Sequence, residues 1–152
     1  AGQAPKSLAG FTLGDHLSRY RDKVVPGSRM CVRYQNYLHE VEAAPIPGFR
    51  SGLICVGNCA EPGRIVRAKL KYADSSKKFY EELLRRFTAR FGKPDEWKGD
   101  AFGVMLAWKW SFTDEKGNKI SLTLQHNSEN RELKMGNAVK LTMTSAIERE
   151  KA

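Results

Sequence analysis

The basic residues of this chain have a spacing that suits an anion. In "GRIVRAKLKYA", Arg67, Lys69 and Lys71 recur at every second position, and Lys109, Lys119 and Lys140 stand in three other runs with the same alternation. Side chains of an extended strand point alternately to its two faces. The six cations would therefore share one sheet face with small hydroxyl residues such as Ser111, Thr123 and Thr142. A row of cations of this kind takes the backbone of a nucleic acid or another polyanion. Arg67, Lys69, Lys71, Lys109, Lys119 and Lys140 are the expected binding residues for an anionic partner. The plain alternative is a solvated face, on which lysines only keep an exposed sheet soluble.

Three cysteines, Cys31, Cys55 and Cys59, are the other reactive groups. Gly57 and Asn58 form a tight turn in "CVGNCAEPG", so Cys55 and Cys59 are expected to pair as a disulfide if the protein is exported. The rival is a CxxxC metal or redox site. That spacing is not the CxxC of thioredoxin-like enzymes, and tetrahedral zinc would need two more ligands. His16, His39 and His126 stand singly, without ligand spacing. No metal and no cofactor is expected. The patterns GxSxG, HExxH, GxxxxGKS and GxGxxG do not occur, and the local acid groups Glu40 with Glu42, and Asp95 with Glu96 and Asp100, have no histidine partner. No catalytic residue is assigned, and a non-enzymatic protein is expected.

The elements that must position these residues follow from periodicity. "FTLGDHLSRYRDKV" reads as a short helix capped by Asp15, and Pro26-Gly27 ends it. Met30, Val32 and Tyr34 alternate as a first strand, "YLHEVEA" pairs with it, "APIPG" is a loop, and "RSGLICVG" is a third strand. Val66, Ala68, Leu70 and Tyr72 form the inner face of the Arg67 strand. Phe79, Leu83, Phe87 and Phe91 recur every four residues, which predicts an amphipathic helix over about 75–91, stopped by Gly92 and Pro94. Trp108, Trp110 and Phe112 alternate on the next strand, and "TDEKGNK" turns it into a return strand carrying Ile120, Leu122 and Leu124. "HNSENRELKMGN" reads as a polar loop, Val139, Leu141 and Met143 as a last strand, and "SAIEREKA" as one helical turn or a frayed end.

With 152 residues and 17.1 kDa, the chain fits one domain. Residues 1–10 are expected to be flexible, 11–146 to form the domain and 147–152 a tail. Hydrophobic residues at 41% suffice for a core, and no apolar run approaches the roughly 20 residues that span a bilayer. The expected fold is α+β: a two-layer sandwich in which one long helix packs on one face of an antiparallel sheet. The net charge of +9 biases the protein toward acidic partners. Ten of its basic residues fall within 64–93, against three acids.

The opening Ala1-Gly2-Gln3-Ala4-Pro5 has the look of a cleaved signal peptide's product, so a periplasmic or secreted location is expected. "FTLGD", "KLKYADSSKKFYEELLRRFTARFGKPDEW" and "AWKWSFTDEKGNKISLTLQH" together resemble small exported proteins of sulfate-reducing-type Gram-negative bacteria that carry no assigned activity. That resemblance implies a compartment and no site. The F-x-L-G opening is loosely similar to small lipoproteins of outer-membrane assembly, but no lipid-bearing cysteine opens this chain. The functional expectation is an exported binding or adaptor module for a partner protein or an anionic envelope polymer. Its alternative is a cytosolic nucleic-acid-binding domain using the basic sheet face.

Overall fold

A computed structural model describes residues 3–128 and 136–152. Ten strands dominate it: β1 (Ser7–Leu8), β2 (Phe11–Thr12), β3 (Met30–Val32), β4 (Gln35–Glu42), β5 (Phe49–Gly57), β6 (Ile65–Tyr72), β7 (Glu96–Trp97), β8 (Met105–Thr113), β9 (Lys119–Asn127) and β10 (Gly136–Met143). A 3-10 helix spans Leu17–Lys23, and the α-helices are α1 (Lys77–Phe91) and α2 (Thr144–Lys151). β1 and β2 form a small sheet of their own. The other eight strands form one antiparallel sheet in the order β3-β4-β5-β6-β10-β9-β8-β7.

That architecture corrects the expected two-layer α+β sandwich with one long helix. The protein is mostly β, its sheet has eight strands, and both α-helices are short. Two four-stranded meanders meet where β6 pairs with β10, with Leu70 opposite Val139 and Ala68 opposite Leu141. Local periodicity reveals the longer strands but not this central pairing, which joins segments some 70 residues apart.

On one face, α1 lays its apolar stripe over β6 and the second meander. Phe79 meets Tyr72, Phe87 meets Trp110 and Phe91 meets Phe112 edge to face, the geometry aromatic rings prefer. Ser76 caps the helix by accepting the Phe79 N–H at 3.1 Å, and Gly92 ends it at φ 86, a conformation that favours glycine. The Trp110 indole N–H donates to the Gly92 carbonyl at 2.8 Å, tying the helix end to β8. Leu70, Leu124 and Val139 lie beneath and are fully buried.

Asn137 pins the other end of α1. Its amide nitrogen donates to the carbonyls of Asp74 and Ser76 at 2.8 and 3.0 Å, which leaves its oxygen to face His126 Nδ1 at 2.8 Å. The imidazole must therefore donate from Nδ1. Asn137→Ala would strip the buried His126 ring and the Asp74 carbonyl of this partner, while the Ser76 carbonyl keeps the Tyr80 N–H at 3.2 Å. We expect it to lower unfolding stability by about 2 kcal/mol in urea titration, and a loss under about 0.5 kcal/mol would show that the pin is dispensable.

α2 packs on the opposite face. Residues 147–151 of the segment expected to be a tail lie within this helix, which carries Glu150, only 3% exposed. The first helix also departs from expectation: His16 caps it, while Asp15 accepts the Tyr20 hydroxyl at 2.7 Å. Residues 129–135, part of the expected loop "HNSENRELKMGN", lie outside the described residues. The outer edges are short: β3 has three residues and a register shift, and β7 has two. No helix among the described residues is long and apolar enough to cross a membrane.

Candidate functional site

The strand register brings the expected cations together on the face opposite α1. Lys109 stands opposite Thr123, Thr123 opposite Lys140, and Lys140 opposite Lys69, one row across β8, β9, β10 and β6. The next row runs Ser111, Ser121, Thr142, Arg67 and Cys55. Adjacent strands lie about 4.8 Å apart, so Lys69 and Lys140 are immediate neighbours. The sheet is hollowed here into a groove of about 390 Å³, lined by Arg67, Lys109, Lys140 and a set of hydroxyl side chains, with Lys98 at its β7 rim and Ile147 of α2 at its other wall. A small extension of about 30 Å³ adds Lys69.

Among the described residues, no ion pair within 4.0 Å engages Arg67, Lys69, Lys109 or Lys140. Burial, followed by the charges of Arg67, Lys69 and Lys109, pushes the Lys140 ammonium below its ordinary range. Lys71 is lowered by burial first and then by Lys69 and Arg50. Such mutual repulsion is what a bound anion relieves. The acid at the rim is Glu96, whose carboxylate accepts from Lys98 at 2.8 Å; that bond, with a lesser pull from Lys109, holds it below its ordinary value although burial raises it.

Not every expected residue reaches the groove. Lys119 shares the face but sits at the far end of β9, where its backbone N–H and carbonyl bond the hydroxyls of Ser145 and Thr144. Lys71 lies beyond Lys69, toward Arg50. Lys98 was not foreseen, because a two-residue strand has no periodicity to read. Gln125 lines the groove as well, and its place in the alternation of β9 was the available signal.

The expected Cys55–Cys59 disulfide is not formed, and all three cysteines are free. Strand parity places Cys55 on the same face as Arg67 and Glu40, its neighbours on either side, where it is 1% exposed and burial pushes its thiol up to about 11. Cys59 belongs to a loop held elsewhere. The Glu150 carboxylate accepts backbone N–H groups from Asn58, Cys59, Ala60 and Glu61 at 3.0, 2.6, 3.0 and 2.6 Å. Gly57 is required beside it, since a Cβ there would lie 2.6 Å from that carboxylate. The loop therefore follows α2 and leaves Cys59 exposed.

A larger hollow of about 500 Å³ lies at the β4–β5 end, and its apolar lining holds one acid, Glu42, and one base, Arg50. It converges on no single chemistry. Among the described residues, no three of His, Cys, Asp and Glu gather as a metal site.

No protein-family model, curated protein or solved structure matches this chain.

Proposed function

We propose that this protein is a non-catalytic binding module that takes an anionic polymer on its basic sheet face, and that it does so outside the cytoplasm, on a polymer of the cell envelope. The observation that supports this reading is the concave row Lys69, Lys140 and Lys109, with Arg67 beside it, none of them paired to an acid among the described residues. The row spans about 14 Å across four strands, long enough to meet several charges of one chain. A nucleic acid is the weaker ligand for such a face, because base stacking needs exposed rings. Here Trp110 and Phe112 lie buried under α1 on the other side.

The test is a titration of the purified protein with heparin, polyphosphate, single-stranded RNA and duplex DNA across a salt series. We expect saturable binding of heparin or polyphosphate at low salt, with log affinity falling linearly in log salt. Tighter binding of RNA or DNA would replace this reading with the nucleic-acid one. No binding of any polymer at low salt would leave a merely solvated face. Fractionation of the native host tests the location, and a purely cytosolic pool would remove the envelope ligand.

A further inference from the structure

We propose that the groove contains a discrete subsite for one tetrahedral oxyanion, a phosphate or sulfate group, formed by Thr142, Arg67, Lys140 and the start of α2. The inference rests on the binding reading above and names the group that the polymer would present. Two independent observations carry it. Thr142 lines the groove, is only 5% exposed, and its hydroxyl has no hydrogen-bond partner among the described residues. A buried hydroxyl without a partner is uncommon and calls for an explanation. α2 starts at Thr144, also in the groove wall, and Met143 before it supplies no side-chain cap. The first backbone N–H groups of a helix have no partner within it and carry its positive end.

The cations complete the set. Arg67 stands directly opposite Thr142 in the β6–β10 register, and Lys140 lies two residues away on the same face. Donors thus approach from the strand floor, from the neighbouring strand and from the helix end. That non-coplanar arrangement suits the four oxygens of phosphate or sulfate better than a planar carboxylate. The acids placed nearest by register, Glu40 two strands beyond Arg67 and Glu96 at the β7 rim, lie on either side of the subsite rather than in it.

The experiment is an amide-resolved NMR titration of the intact protein with sodium phosphate, sulfate and acetate, balanced with chloride at constant ionic strength. We expect saturable shifts at residues 142–147 with phosphate or sulfate, the stronger of the two identifying the polymer's ester, and none with acetate. Thr142→Val should weaken oxyanion binding at least about tenfold, equivalent to 1.4 kcal/mol, with an unchanged spectrum away from the groove. Thr142→Ser, which keeps the hydroxyl, should bind as the parent does. Equal binding by T142V, an acetate response equal to that of phosphate, or no saturable shift at residues 142–147 would overturn the subsite. If those amides stay silent while heparin or polyphosphate still binds the parent, the subsite falls and the polymer reading stands; if the polymers fail too, both fall.

Discussion

Glu150→Ala is expected to lower unfolding stability by about 3 kcal/mol, a large share of what a domain of this size possesses. The wild-type carboxylate is buried and accepts four consecutive backbone N–H groups from residues 58–61. Removing it leaves the Cys59, Ala60 and Glu61 donors unmatched, Asn58 keeping the Tyr37 carbonyl at 3.0 Å, and frees α2 from the loop at once. Urea unfolding measures the loss, and a change under about 1 kcal/mol would mean that water replaces the carboxylate without penalty. The same group makes stability depend on pH. Burial alone would raise the Glu150 carboxyl, but the N–H groups of Cys59, Glu61, Asn58 and Ala60 outweigh it and hold it below its ordinary 4.5. A carboxyl depressed in the folded state stabilises fully above its unfolded value and loses that contribution as pH falls through the folded one. The wild type should therefore lose stability below about pH 4.5 more steeply than Glu150→Gln, which has no such proton to bind.

Reversing Lys69 and Lys140 together to glutamate should reduce affinity for heparin or polyphosphate about 100-fold or more at low salt. The two face each other across β6 and β10, so four units of charge change at the centre of the row. The salt slope should fall by about two, one for each lost phosphate or sulfate contact. Folding should tolerate the change, because Lys140 is already repelled by Arg67, Lys69 and Lys109. Lys119→Glu is the control; it lies at the far end of β9 and should cost less than about threefold. Equal losses in the control and the double variant would show that net charge alone drives binding.

The basic face was legible because strand parity is local. Once Val66, Ala68, Leu70 and Tyr72 face inward, Arg67, Lys69 and Lys71 face out. What parity cannot supply is the neighbour. Lys140 meets Lys69 only because β10 returns to the middle of the sheet, a pairing that "NAVKLTM" does not encode by itself. The α1 stripe was legible from its four-residue spacing, whereas α2 was legible only as one helical turn or a frayed end, since half of "SAIEREKA" is charged and one of its two buried residues is a glutamate stabilised by a distant loop. The disulfide expectation failed for a related reason. Turn residues between Cys55 and Cys59 show that the sulfurs could approach, but strand parity and Glu150 send them to different places. Thr142 was read as one hydroxyl among several, and its lack of a partner emerges only when α2 is packed over the face.

The three-residue β3 and two-residue β7 that bound the large sheet bear on how the protein meets other chains. An open sheet ordinarily offers its outer strands as templates on which another polypeptide can zip up by backbone hydrogen bonding, whether in recognition or in fibril growth. Strands this short, one of them broken by a register shift, present too few consecutive backbone groups for such zipping. Strand addition is thus disfavoured at both margins of the large sheet.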